Sequence, residues 1–224
     1  MHLWVGGGAS GAGGIRLKSE RLAKRGRGAK FPAVGLVIEN LEPRDSKWLM
    51  LEYAHACKTW GPGVHFTNVR DPRLQRHLQA LEGVHVSARS FRDLDVGRAL
   101  VLDPKAARPL STSDCGEFDA LVVGGILGGE VMRGRTRALI TRRSKLPARH
   151  LGAVQLPIDV AVFAARAIAL GAKLEDIEFT NGLTVRYGDG MEIELPYGYP
   201  VVGKKVVVTP GLVPYLAKHW GEEE

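Results

Sequence analysis

Cysteine is nearly absent from this chain: Cys57 and Cys115 are the only two in 224 residues and form no CxxC pair. That spacing excludes a disulfide framework and a cysteine-ligated zinc site, and leaves two buried thiols as the expectation. His55, His65, His77 and His85 show no HExxH or comparable ligand spacing, so no metal is expected. No window approaches the roughly 18 consecutive apolar residues of a membrane span. Glycine dominates residues 6–14, where a secretory signal would need an apolar core, so a cytoplasmic location is expected. Acidic residues are scarce at the start of the chain. Residues 1–33 hold seven of the 31 Lys and Arg but one of the 24 Asp and Glu, a net +6 of the total +7. This basic, glycine-rich extension has few side chains to bury and is expected to be disordered, with the folded domain spanning residues 34–224.

From Val34 onward the chain alternates apolar strands with helical patterns. AVGLVIENL reads as a buried strand, and SKWLMLEYAHACKTW as a helix with Ser46 or Asp45 at its N-cap. VHFTNV, VHVSA, RALVLDP and FDALVVGG read as further strands, with a helix after Pro72 between the first two. RTRALITRRSK reads as a basic helix, and LPIDVAVFAARAIALGA as an apolar one ending at Gly171. Strands apolar throughout and alternating with helices predict an α/β fold: a mostly parallel open sheet with helices on both faces. LTVRYGDGMEIEL alternates about a GDG turn and predicts a C-terminal β-hairpin, and KKVVVTPGLVPYLAKHW gives a strand and a short helix.

VVGGILGG, residues 122–129, breaks a strand into four glycines. Such a cluster either makes a tight turn or brings bare backbone up to a ligand. A P-loop would need Lys and Ser or Thr after the last glycine, and a dinucleotide fingerprint would need G-x-G-x-x-G opening a helix; neither is present. Phosphate is thereby disfavoured, and Ile126 and Leu127 between the glycine pairs suit an adenine or a thioether. VLDP (101–104) and the glycine-bearing LGAVQLPID (151–159) are companion loops, and VIENLEPRDSKWLMLEY (37–53) brings Glu39, Glu42 and Glu52 around the first strand and helix. Ligands in open α/β sheets bind beyond the carboxyl ends of the strands, where these loops would meet.

IENLEP followed by W..LEY, the LDP, GGILG followed by R-x-R-T (Arg133, Arg135, Thr136), and LG..Q...D together resemble the SPOUT superfamily of methyltransferases. The likeness is to its branch of S-adenosylmethionine (SAM)-dependent RNA methyltransferases, which includes a fungal arginine methyltransferase of a ribosomal protein. It covers about residues 34 to 216, and the basic glycine-rich extension has no counterpart. The resemblance implies a C-terminal deep trefoil knot that forms a pocket for SAM, with S-adenosylhomocysteine as product. It places Leu102, Asp103, Gly124, Gly125, Ile126, Leu127, Gly128, Leu151, Gly152, Gln155 and Asp159 at that pocket. One departure is visible: the family has Asp where this chain has Gly129, followed by Glu130.

Methyl transfer from a sulfonium is an in-line displacement that needs no metal, only alignment and removal of a proton. For an arginine acceptor, carboxylates would orient the planar guanidinium. Glu39 is the first candidate, at the exit of the first strand; Glu52 and Asp103 follow, then Glu42. Asp159 can equally cap the apolar helix. The acceptor stays open between an arginine of a ribosomal protein and ribosomal or transfer RNA. RNA is favoured by the basic extension and by Arg133, Arg135, Arg137, Arg142, Arg143, Lys145 and Arg149, a run without acids. A third reading is a non-catalytic ribosome- or RNA-binding protein. Nothing in the sequence decides between a monomer and a homodimer.

Overall fold

In the computed structural model, which describes residues 34–128, 134–187 and 191–219, the first apolar run forms β1 (Gly35–Asn40). The chain then turns into α1 (Lys47–Trp60), where Ser46, not Asp45, takes the N-cap and accepts the Leu49 N–H. Leu49, Tyr53, Ala56 and Trp60 recur at helical spacing and supply the buried face of α1. β2 (Val64–Thr67) leads to α2 (Pro72–Gln79), which has Asp71 as N-cap and proline in its first turn. β3 (Val84–Val86), β4 (Ala99–Leu102), α3 (Thr112–Glu117) and β5 (Ala120–Gly125) follow. α3 was not legible beforehand; its Ser111 and Asp114 form a capping box.

The basic segment is not one regular helix. It opens with a π-helical turn, Arg137–Thr141, and closes with the single turn of α4 (Arg142–Ser144). The Thr136 side chain caps nothing here, and the Thr141 hydroxyl bonds Asp103 instead, so tertiary contacts override the regular helix. β6 (Ala148–Arg149) is a short return strand, and α5 (Ile158–Ala169) is the expected apolar helix, with Gly171 at φ 109° after its end. Six strands pair in the order β3-β2-β1-β5-β4-β6, every neighbour parallel.

The two faces of this sheet are covered unequally. Leu36, Ile38, Leu100, Leu121 and Val123 pack with α1, α2 and α5 in one large core. On the opposite face, Val37, Val101 and Val122 meet Phe91, Val96 and Ile140, from the 3-10 turn Phe91–Asp93, a loop and the π-helical turn, with Leu41, Leu94, Leu146 and Ala148 packed at the edge of this smaller cluster. The expected second helical layer is thus reduced to turns. Beyond α5, β7 (Leu183–Tyr187) and β8 (Met191–Leu195) form the expected hairpin, Leu183 opposite Leu195. KKVVV yields only β10 (Lys205–Val206), paired with β9 (Val201–Val202), because neither its Val206 nor Val202, which pairs with Lys205, gains a buried side. α6 (Leu212–His219) closes a third core with Val160, Ile193, Leu195 and Tyr199.

Candidate active site

β1, β5 and β4 are neighbours in the sheet and end at Asn40, Gly125 and Leu102, so the loops that follow them emerge side by side. β6 adds a further loop: after pairing with β4, the chain turns under the 103–110 segment, where His150 donates its N–H to Arg108 and accepts that of Leu110. These loops enclose a cavity of about 860 Å³, counting its open mouth. Leu102, Val123, Ile126, Leu127, Leu151, Leu156 and Ile158 give it apolar walls; Asp103, Gln155, Arg135 and Thr136 supply the polar atoms. Apolar walls with a few fixed polar groups are the usual composition of a small-molecule site.

The glycines have different reasons to be glycine. A side chain on Gly128 would meet the Tyr197 ring at 2.3 Å and the Gln155 amide at 2.8 Å, so only bare backbone fits between pocket and hairpin. At Gly124 a Cβ would press on Thr136 and Ile140 at 3.2–3.3 Å. Gly152 sits at φ 107°, which other residues rarely adopt. Gly125 faces away from the cavity: its Cβ would lie 2.2 Å from the Tyr53 hydroxyl, which donates to the Asn40 side chain at 2.8 Å. Of the residues the resemblance assigned to the pocket, all but Gly125 and Asp159 line this cavity.

Gly129, Glu130 and Arg133 lie outside the described residues, as do residues 1–33.

The carboxylates sort by their partners. Asp103 lines the cavity, yet its oxygens are engaged: Oδ1 accepts the Lys105 N–H at 2.9 Å and Oδ2 the Thr141 hydroxyl at 2.8 Å. Glu39, the first candidate, is buried off the cavity. It accepts the Thr67 and Ser90 hydroxyls at 2.5 and 2.7 Å and the Phe91 N–H at 3.1 Å, clasping β1 to the end of β2 and to the segment after β3. Glu52 is buried in α1 and caps α5, accepting the Ile158 N–H at 2.9 Å and the Trp48 indole at 2.6 Å. Burial first, then the charge of Asp159, pushes the Glu52 carboxyl up to about 8. Asp159 does not cap its own helix by a side-chain bond; its Oδ2 meets His55 Nδ1 at 2.6 Å and the Thr209 hydroxyl at 2.7 Å, on the side of α5 away from the glycine loop.

Glu42, the last-ranked acid, is the one that reaches the glycine loop. Its Oε1 accepts the Leu127 N–H at 2.9 Å and lies 3.6 Å from Nη1 of Arg135. Sequence reading placed Arg135 and Arg137 among RNA-facing basic residues. Both bond within the chain while staying partly exposed, at 43% and 41%: Arg135 bonds the Leu127 carbonyl, and Arg137 bonds the Lys105 carbonyl and stands 3.9 Å from Asp103. Arg149 pairs with Asp114 at 2.7 Å, while Arg142 and Arg143 are exposed. Thr136, Leu156 and Ile158 are lining residues that sequence reasoning did not assign to the pocket, although R-x-R-T contains the first and the LGAVQLPID loop the other two.

Residues 35–223 match the SFM1-like protein arginine N-methyltransferases. The chain belongs to this family. The protein arginine N-methyltransferase SFM1 of Saccharomyces cerevisiae is 27% identical over 200 residues, which make up 81% of this chain and 93% of the yeast protein. The crystal structure of yeast SFM1 complexed with SAM superposes with a TM-score of 0.74 at 27% identity, covering 83% of this chain and 90% of the yeast chain. Complexes of SFM1 with S-adenosylhomocysteine and methylthioadenosine match with TM-scores of 0.73 and 0.70. A Trm10 structure from Thermococcus kodakaraensis shares the fold at 12% identity, TM-score 0.50, over 64% of this chain and 96% of the Trm10 chain. The SPOUT resemblance therefore holds for this SFM1-like chain. No described helix is long and apolar enough to cross a membrane.

Proposed function

We propose that this protein is a SAM-dependent methyltransferase of the translation machinery whose acceptor is an arginine of a ribosomal protein. The observation that carries the reading is the cavity beyond β4 and β5, where the three loops singled out for an adenosyl thioether meet. The residues fit such a donor: the aliphatic lining suits adenine, Gly124 and Gly128 leave backbone bare where any Cβ would intrude, and Asp103, Gln155 and Thr136 bring polar atoms to the wall. When bound, SAM supplies a methyl group on an electrophilic sulfonium. The chain's part would be to hold the donor among Leu102, Ile126 and Gln155, exclude water with Leu127, Leu156 and Ile158, and present a carboxylate to the incoming guanidinium. The family's arginine-modifying relative favours a protein acceptor, and so does the engagement of Arg135 and Arg137 with loop carbonyls of this chain.

The return of β6 beyond β4, with His150 bonded under the 103–110 loop, supports a trefoil knot around this cavity. The family match begins at residue 35, which supports a methyltransferase domain starting near residue 34 after the basic extension. A cytoplasmic site of action is part of the same reading. The test has two parts. Saturating SAM is expected to raise the unfolding temperature, because ligand at about 100 times its Kd stabilises by roughly 2.7 kcal/mol. Methyl-labelled SAM is then offered separately to ribosomal proteins and to ribosomal RNA. Label in protein arginine supports the reading, and label confined to RNA overturns it.

A further inference from the structure

A guanidinium from this chain already sits at the mouth of the donor cavity. Arg135 points one nitrogen at the Leu127 carbonyl and another at Glu42 Oε1, 3.6 Å away, and both Arg135 and Leu127 line the cavity. The cradle is thus one carboxylate and one backbone carbonyl. Glu42 comes from the loop after β1, and Leu127 from the loop after β5. These adjacent strands flank the point where the strand order reverses, so the cradle stands at the crevice in which α/β sheets bind their substrates.

Glu42 differs from the other three acids considered as acceptor partners. Glu39, Glu52 and Asp103 are buried and have both oxygens committed to donors of the fold or, for Glu39, three such donors. The Glu42 side chain keeps 19% of its surface exposed, and its Oε2 accepts no hydrogen bond among the described residues. Arg135 is 43% exposed, so its hold on Glu42 is a surface ion pair, of the kind another guanidinium exchanges at little cost.

We propose that Glu42 and the Leu127 carbonyl form the site for the acceptor guanidinium, and that Arg135 is an internal stand-in which the substrate arginine displaces. The proposal rests on the reading that the acceptor is an arginine. A guanidinium nitrogen turned toward the donor forms the bond to the methyl carbon as the carbon–sulfur bond breaks and leaves its electron pair on sulfur. The methylated guanidinium then gives up one proton from that nitrogen, first to Glu42 and from its exposed side to water. The charges balance: two cations enter, and one methylguanidinium, a neutral thioether and a proton leave.

Glu42→Gln tests this cleanly, because the amide oxygen still accepts the Leu127 N–H while the charge is lost. With ribosomal proteins as the acceptor mixture, kcat/KM for the acceptor is expected to fall about 10- to 100-fold, the effect of losing a charge-assisted pair. The Kd for S-adenosylhomocysteine, read by calorimetry, is expected to stay within about threefold. Arg135→Ala is expected to lower the acceptor KM about two- to fivefold by removing the stand-in. An unchanged acceptor kcat/KM in E42Q, or a parallel loss of cofactor affinity, overturns the assignment of Glu42. An unchanged or higher acceptor KM in R135A overturns the stand-in. Absence of any protein methylation by the wild-type chain defeats the arginine reading itself, a different failure from wild-type transfer that E42Q retains in full.

Discussion

Ile158 and Asp159 are consecutive residues in the first turn of α5, yet they line different cavities. Ile158 faces the glycine loop among aliphatic side chains and bare backbone. Asp159 faces the far side of the helix, beside His55, Lys58, Thr59 and Arg166, with Glu52 and Tyr199 buried nearby. The first region is mainly aliphatic, with Asp103 and Arg135 as the charged residues of its described lining. The second gathers charged groups: Asp159 Oδ2 is bonded to His55 and Thr209, while its Oδ1 and the Tyr199 hydroxyl have no hydrogen-bond partner among the described residues. Residue type alone would assign the chemistry to the second region, because it holds the acids. The loop geometry assigns donor binding to the first. A buried acid whose oxygens are occupied by protein donors serves as architecture, and a glycine that no Cβ could replace is the better mark of a ligand.

The comparison is broken most forcefully through pH. Folded Glu52 keeps its proton up to about 8, against an ordinary value of 4.5, because burial and Asp159 together outweigh the two donors that favour the carboxylate. Between those values the folded state binds more protons than the unfolded chain, so this group's contribution is complete below pH 4.5 and is lost as pH rises toward 8. Thermal unfolding followed across that range is expected to show stability falling by a few kcal/mol. Glu52→Gln should flatten this decline, and Asp159→Asn should flatten it in part, since burial is the larger cause. The comparison with wild type isolates Glu52 from His65, which burial and the stacked His85 hold down at about 4 and which therefore lowers stability as the solution becomes more acid than 6.5. Cofactor affinity at pH 7 should stay within about threefold in E52Q. A decline as steep in E52Q as in wild type would show that the buried cluster does not control the response.

How far the sequence could be read follows from the same contrast. Five of the six strands of the parallel sheet were legible as apolar runs closed by turn residues, the two-residue β6 having no such signal, and α1 and α5 because their apolar residues recur at helical spacing. The cavity loops were legible through glycine placement. What failed depended on partners distant in sequence. Glu39 stood out as the first candidate for the acceptor because it ends a buried strand, but Ser90 and Phe91, about fifty residues on, occupy its oxygens. Asp159 looked like a cap until Glu52 proved to hold the Ile158 amide from α1. The basic run read equally as a solvated helix face or an RNA contact; Asp103 and the carbonyls of Lys105 and Leu127 bond Thr141, Arg137 and Arg135, and the two arginine side chains stay partly exposed. Glu42 ranked last because nothing local distinguishes an acid in a turn from a surface acid.

Two glycines three residues apart sharpen the comparison next. Gly125→Ala drives a methyl into the Tyr53 hydroxyl and the β1 backbone, so it is expected to cost about 1–3 kcal/mol of stability. Its effect on S-adenosylhomocysteine affinity should be small. Gly128→Ala meets the buried Tyr197 ring and the Gln155 amide, and of the two Gln155, which lines the cavity, has that space to move into. That variant should keep its unfolding temperature and lose about 10- to 100-fold in affinity, as overpacking by a similar amount is diverted into the ligand's space. Equal losses of stability in the two would mean that the glycine loop is one rigid turn without a binding face.

Asp103 is where the two kinds of region meet, since it is buried and doubly bonded yet lines the donor cavity. Thr141→Val removes the hydroxyl from Oδ2 and leaves that oxygen with Arg137 at 3.9 Å. The expected cost is about 1 kcal/mol of stability. If Asp103 shapes the donor site, the freed carboxylate should swing toward Arg137, and the Kd for S-adenosylhomocysteine should rise about three- to tenfold with it. Thr141→Ser keeps the hydroxyl and should restore both quantities. A loss of stability without any change in affinity would instead place Asp103 with Glu39 and Glu52, as an acid that holds the loops and leaves the ligand to backbone and aliphatic contacts.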